Sequence, residues 1–107
     1  MAPNLSGVVS ASSPTVQFGQ GYCIVMWTLF MTGEGGGTAV VHAGSTPILN
    51  VDVGNIANVG TPGAGPDERD VAVSPPIGIL PGTTIHLDLS GCTGCETLTV
   101  TMSAASR

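Results

Sequence analysis

The chain has 107 residues, the usual size of one domain, and its 42% of hydrophobic residues exclude a disordered protein. The chain has seven acidic residues, two arginines and no lysine. This composition excludes the basic surface that nucleic acid or an anionic membrane requires. Because charged residues make up only 8% of the chain, we expect a surface that other protein covers, although a small soluble monomer is the alternative.

The first 14 residues are predicted to form an extended arm that becomes ordered on a partner. The segment has two prolines and one short apolar patch: Pro3, Pro14, Leu5, Val8 and Val9. It shows neither the basic region nor the apolar stretch of a signal peptide, so no signal peptide is predicted and we expect synthesis in the cytoplasm. The sequence therefore predicts an arm over residues 1–14 and a β-domain over residues 15–107.

Short segments rich in Val, Ile, Thr and Leu then recur between Gly and Pro residues, and none has the period of a long helix. The predicted strands occupy residues 7–11, 15–19, 22–31, 38–43, 49–53, 70–73, 84–90 and 97–103. The segment 22–31 is apolar on both faces and is expected to be a central strand. About eight short strands predict a single-domain antiparallel β-sandwich, jelly-roll or immunoglobulin-like, with no long helix.

A long segment rich in Gly, Pro and Asn occupies residues 54–69 and ends in the sequence Asp67-Glu68-Arg69-Asp70. Loops of this length in compact domains are usually functional or disordered. The acidic residues lack the alternating spacing of a calcium-binding loop. We expect a solvated acidic turn or a polar patch that contacts a partner.

The last two predicted strands have the clearest alternation and are expected to pair as a hairpin around residues 91–95. Cys92 and Cys95 form a CxxC motif in this turn. A redox-active cysteine would need a helix N-terminus, and a structural zinc would need a second pair of ligands at close spacing. The motif is therefore interpreted as a tight turn that holds either a local disulfide or two free thiols, and Cys23 is interpreted as a buried apolar residue.

No catalytic, metal or cofactor site is predicted, and the chain is not expected to be an enzyme. His42 and His86 lie on predicted strands without an acid and a nucleophile at a recognisable spacing, and are interpreted as solvated. The glycines in residues 33–37 lack the lysine and the helix of a phosphate site and are expected to form a hairpin loop. Trp27 and Tyr22 are expected to pack in the core; an exposed platform for a sugar is the alternative.

Five segments follow one another in a characteristic order over residues 20–103. These are Gly-Tyr-Cys-Ile-Val-Met-Trp-Thr-Leu-Phe, Gly-Gly-Gly-Thr-Ala-Val-Val, Thr-Pro-Ile-Leu-Asn-Val-Asp-Val, Pro-Pro-Ile-Gly-Ile-Leu-Pro-Gly and a closing Thr-rich segment. The pattern is similar to that of the short all-β capsid decoration (cement) or head-fibre proteins of tailed bacteriophages.

The resemblance implies a subunit that binds the outer capsid lattice and stabilises it by protein–protein contacts. Its partners would be the major capsid protein and copies of itself in a trimer, and its place would be the capsid surface of the virion. A carbohydrate- or receptor-binding module of a phage fibre or tail is the alternative. The residues expected to contact partners are Pro3, Asn4, Leu5, Asp67, Glu68 and Arg69.

Overall fold

Nine β-strands make up most of the chain that the structure, a computed structural model, describes over residues 4–32, 35–53 and 67–106. They are β1 (Asn4–Ser10), β2 (Thr15–Gln17), β3 (Tyr22–Met31), β4 (Gly36–Ala43), β5 (Thr46–Asp52), β6 (Asp67–Ile79), β7 (Thr84–Asp88), β8 (Cys92–Thr93) and β9 (Thr99–Ser106). The strands form two packed antiparallel sheets, so the predicted single-domain β-sandwich is confirmed. In the described ranges no helix is long and apolar enough to cross a membrane.

The first sheet, called sheet A, has the strand order β1-β9-β3-β6. Strand β3 lies between β9 and β6, which confirms the prediction of a central strand over residues 22–31. The register shifts between Ile24 and Met26 against both neighbours: against β9 it leaves Val25 as a bulge, and against β6 residues 73–76 lie opposite Val25 alone. The bulge lets the apolar residues before and after it stay on the inner side of a long strand.

The second sheet, called sheet B, has the order β2-β7-β4-β5, and the short strand β8 also pairs with β4. Gly37 lies opposite Cys92 in this pairing and has a positive φ of 85°. A Cβ atom at this position would collide with the carbonyl oxygen of Gly91. Glycine at position 37 therefore allows β8 to approach the beginning of β4.

The core lies between the two sheets and is built from the alternate residues that each strand turns inward. Trp27 is 1% exposed and Tyr22 is fully buried, so the prediction that both pack in the core is confirmed. The other large residues that are fully buried are Ile24, Met31, Ile85, Leu98, Met102, Val9, Val41, Val51 and Val53.

Strand β1 differs from the arm that the sequence predicts. Residues 4–10 pair with β9 along their whole length, so the sandwich begins well before the expected boundary at residue 15. Val9 is fully buried and Leu5 packs against the core. Gly7 fits beside the ring of Phe18, where a Cβ atom would come within 2.7 Å of it. The sequence predicts a strand over residues 7–11 within this arm, and the structure begins it three residues earlier, at Asn4.

Two predicted hairpins are wrong because the chain crosses between the sheets instead. The strands β7 and β9 have the expected alternation, but β7 pairs with β2 and β4 in sheet B while β9 pairs with β1 and β3 in sheet A. Likewise β3 lies in sheet A and β4 in sheet B, so the chain does not form a hairpin at these glycines, and Gly36 and Gly37 are the first residues of β4. Strands that face one core from opposite sides show the same alternation as strands that pair.

The long segment before β6 lies mostly outside the described residues, over residues 54–66. Strand β6 is much longer than the predicted strand over residues 70–73 and contains two consecutive prolines, Pro75 and Pro76. Among the described strands β6 pairs only with β3, so it is an edge strand, where proline is tolerated.

Candidate functional site

On strands β1, β9 and β3 the outer side of sheet A is a surface of hydroxyl and apolar side chains. It is formed by the residues of β1, β9 and β3 that alternate with the buried ones. The pairing places Val8, Thr101 and Thr28 side by side across the centre of the sheet. This surface, called the hydroxyl face below, consists of Ser6, Val8, Ser10, Cys23, Val25, Met26, Thr28, Phe30, Thr99, Thr101, Ser103 and Ala105.

None of the side chains that define the hydroxyl face is charged, but acidic residues border it, because Asp70 and Glu68 on β6 lie opposite Thr28 and Phe30 in the register. Val8 is 45% exposed and Val25 is 39% exposed, and both are large hydrophobic residues. Next to Val25 a shallow depression of about 290 Å³ extends to Ser6 and Ser103. A surface without charge loses little hydration free energy when it is covered, and the centres of protein interfaces are depleted in charge in the same way.

The outer side of sheet B has a different chemistry. Gln17 Nε2 donates a hydrogen bond of 2.8 Å to Thr84 Oγ1 across β2 and β7. Exposed Asp52 ends strand β5, and Asp88 ends strand β7. This surface, called the histidine face below, consists of Thr15, Gln17, Val40, His42, Asn50, Asp52, Thr84, His86 and Asp88.

The two histidines of the chain meet on the histidine face. His42 on β4 lies directly opposite His86 on β7, and the two imidazole rings stack with centroids 6.3 Å apart and planes 24° apart. His86 is exposed, as predicted, whereas His42 is half-buried. Alternation places each histidine on an outer face, but only the register of β4 against β7 brings them together, so the sequence offers no signal for the pair.

Asp88 lies two residues beyond His86 on the same side of β7. The Ser90 backbone N–H donates a hydrogen bond of 2.9 Å to Asp88 Oδ1. This bond lowers the pKa of the Asp88 carboxyl below its ordinary value, and the Ser90 hydroxyl and the imidazoles of His42 and His86 lower it further. The carboxylate is thus charged and within electrostatic range of both imidazoles.

The CxxC motif is not the tight hairpin turn that the sequence predicts, because Cys92 and Thr93 form the short strand β8 against β4. The sulfur atoms of Cys92 and Cys95 are joined in a disulfide. The Leu98 backbone N–H donates to the Cys95 carbonyl at 3.0 Å and begins the approach to β9. Cys23 is a free cysteine that is half-exposed on the hydroxyl face, so its interpretation as a buried residue is wrong. It alternates with the buried residues Tyr22 and Ile24, which the uniform apolarity of this strand conceals.

The predicted contact residues fall on the two edge strands of sheet A. Pro3 lies outside the described residues. Asn4 and Leu5 begin β1, while Asp67, Glu68 and Arg69 begin β6, where their backbones pair with the end of β3. The hydroxyl face therefore lies between the two segments that the sequence singles out.

Tyr22 and Trp27 do not form an exposed aromatic platform, because both lie inside the sandwich. The Tyr22 ring makes an edge-to-face contact with Phe18, with centroids 4.6 Å apart. Within the described part of the chain the Tyr22 hydroxyl is buried without a hydrogen-bond partner, and burial raises the pKa of this phenol. A sugar-binding site that uses these two rings is not present.

In the described ranges no three His, Cys, Asp or Glu side chains converge in a way that could hold a metal ion. Comparison with known proteins gives no identification: no family model matches the chain, and no curated protein or solved structure matches it significantly. A functional assignment therefore depends on the two outer faces of the sandwich.

Proposed function

We propose that the chain is a structural subunit that joins a protein assembly through the hydroxyl face. In its specific form the proposal is a capsid decoration subunit of a tailed bacteriophage, which binds the outer capsid lattice and stabilises it. Its partners are the major capsid protein and other copies of the chain, arranged as a trimer. The subunit performs no catalysis.

The observation that carries this proposal is the uncharged hydroxyl face with two exposed valines. Val8 and Val25 are two of the three large hydrophobic residues that are exposed in the described part of the chain. Each removes apolar area from water when a partner covers it, at roughly 25 cal/mol per Å². The surrounding Ser and Thr hydroxyls can donate and accept hydrogen bonds with a partner backbone without the cost of burying a charge.

The edges of sheet A support the same proposal. Among the described strands β1 pairs only with β9 and β6 pairs only with β3, so each leaves one side of its backbone without a strand partner. Edge strands of this kind are templates for pairing with another chain. A partner that lies on the hydroxyl face can also reach either edge.

The charge of the chain favours contact through this face rather than another. The formal net charge is −5, so repulsion between two copies is smallest where they meet through strands that carry no charge, such as β1, β9 and β3. Around a symmetry axis each subunit makes the same contact several times, and several weak contacts together give stable binding. The proposal therefore needs only modest affinity in each contact.

A pair of variants that each add one carboxylate tests the proposal. Val8→Glu places a charge on the hydroxyl face at an exposed position, whereas Gln17→Glu places a charge of the same sign on the histidine face. Light scattering after size-exclusion chromatography gives the oligomeric state. Co-sedimentation with empty capsids, assembled from the major capsid protein that the proposal names as partner, gives the affinity.

We expect Val8→Glu to weaken capsid binding and self-association by about tenfold or more, because it buries an unpaired charge. Gln17→Glu should bind like the wild type. Equal binding by the two variants would reject the hydroxyl face as the contact surface. A wild-type chain that stays monomeric and never sediments with capsids would reject the decoration function itself.

A further inference from the structure

The imidazoles of His42 and His86 stack on neighbouring strands of sheet B. The residues are directly opposite in the register of β4 and β7, where Cβ atoms are about 4.5–5.5 Å apart. The ring planes are nearly parallel, and their centroids are 6.3 Å apart. Each ring needs only rotation about its own side-chain bonds to direct one nitrogen at a common point between the strands.

We propose that His42 and His86 together bind one divalent transition-metal ion, such as Zn²⁺, Ni²⁺ or Cu²⁺, on the histidine face. Neutral imidazole is a preferred ligand of these ions, and a Zn–N bond is about 2.0–2.1 Å long. The two strands hold the rings side by side on one face. The second imidazole is therefore already close to the ion when the first one binds it. Water molecules complete the coordination.

Asp88 provides the negative charge that the ion would meet. Its Oδ1 atom accepts a hydrogen bond from the Ser90 backbone, which holds the carboxylate beside the imidazoles. No third side chain joins the pair in the described ranges, so the carboxylate acts through the field and through water rather than as a direct ligand. A carboxylate around a metal–histidine site orients the ligands and raises affinity.

The surroundings of the pair leave room for the ion and its water. The backbone neighbour of His86 on β2 is Thr15, and that of His42 on β5 is Pro47. Thr15, Pro47 and the His86 side chain are exposed. Hard cations such as Ca²⁺ and Mg²⁺ prefer several oxygen ligands, so two imidazoles discriminate against them.

Binding would join β4 to β7 by a bridge through side chains and so stabilise sheet B. The site lies on the opposite outer side of the sandwich from the hydroxyl face. It does not depend on the proposed function, and an assembly that covers the hydroxyl face leaves the pair accessible.

Calorimetric titration of the full chain with Zn²⁺ alone tests the inference. The chain is kept oxidised, so that Cys92 and Cys95 remain in their disulfide, and carries Cys23→Ser, so that no free thiol binds the ion. The variants His42→Gln and His86→Gln each remove one imidazole, and Gln17→Glu serves as a control that leaves both in place.

We expect one Zn²⁺ per chain and a rise in melting temperature with Zn²⁺ concentration. Each histidine variant should lose affinity by about tenfold or more and lose the thermal shift, and Asp88→Asn should show a smaller loss. Gln17→Glu should retain both signals.

Three results would overturn the inference. The first is that the titration gives no heat of binding at millimolar Zn²⁺. The second is that neither histidine variant changes the number of Zn²⁺ ions bound per chain. The third is that only one of the two variants loses binding. The last result would mean that one histidine binds the ion alone. Because unfolded variants would also fail to bind, the circular dichroism of each variant must first match the wild type.

Discussion

The hydroxyl face and the histidine face lie on opposite outer sides of one sandwich, and they differ in chemistry although the same alternation of residues builds both. The hydroxyl face consists of uncharged side chains and contains Val8 and Val25. The histidine face contains Asp52, Asp88 and both histidines of the chain. The core requires only that every second residue be apolar, so the other residues are free to differ.

Because of this difference, one face suits contact with protein and the other suits binding of small ions. Covering the hydroxyl face removes little hydration, so it suits contact with protein over a broad area. The histidine face carries charges that remain better solvated when they face water, and it suits small ions. A chain with few charges can thus have one side for assembly and one side for solvent.

The largest change in the free energy of unfolding is expected for a substitution in sheet B, where β8 meets β4. Gly37→Ala should lower the free energy of unfolding by about 2–4 kcal/mol, because alanine disfavours the positive φ and its Cβ atom collides with the Gly91 carbonyl oxygen. The collision forces β8 away from β4 and disturbs the frame that carries the histidine face. Urea unfolding measures the change.

Gly44 provides the matched control in the same sheet. It also has a positive φ, of 64°, but no atom lies within 4 Å of a Cβ atom placed there. Gly44→Ala should therefore cost only about 1 kcal/mol, the penalty for the backbone conformation alone. Equal losses for the two variants would show that the approach of β8 to β4 contributes nothing.

A smaller change in the free energy of unfolding, of opposite sign, is expected for a substitution in the core beneath the hydroxyl face. Tyr22→Phe removes a buried hydroxyl that has no partner among the described residues and should raise the free energy of unfolding by about 1 kcal/mol. Burial raises the pKa of Tyr22, so the wild type should lose stability as pH rises above about 10, and the variant should lose less. A destabilised variant would mean that the hydroxyl has a partner.

The smallest effect is expected on the histidine face at acidic pH. The pKa of Asp88 is lowered in the folded chain, so its stabilising contribution is present above the unfolded value of about 3.9 and is lost as pH falls through the folded value. Asp88→Asn should therefore lose less stability than the wild type between about pH 6 and about pH 2. Urea unfolding across this range measures it, and an identical loss in both proteins would contradict the assignment.

The sequence predicts the strands better than it predicts their partners. Alternation gives β4 and β7 within two residues, and uniform apolarity gives the central strand β3. The pairing of β7 with β9 is predicted wrongly because both strands turn an apolar side to the same core, one from each sheet. Alternation alone does not distinguish strands that pair from strands that pack face to face.

The functional surfaces are less predictable than the strands because they depend on register. The hydroxyl face becomes one surface only when Val8, Thr101 and Thr28 lie side by side, although they are far apart in sequence. The pair of His42 and His86 likewise needs the alignment of β4 with β7. The composition shows that charged residues are scarce. It does not show that the outer side of β1, β9 and β3 has none.

Cys23 allows the most direct test of the proposal that protein covers the hydroxyl face. Its free thiol is half-exposed on that face, whereas Cys92 and Cys95 are held in a disulfide, so a thiol reagent reports on one position. The labelling rate should be high in dilute isolated chain and should fall about tenfold or more when the chain is bound in its assembly. An equal rate in the free and the assembled chain would contradict the account.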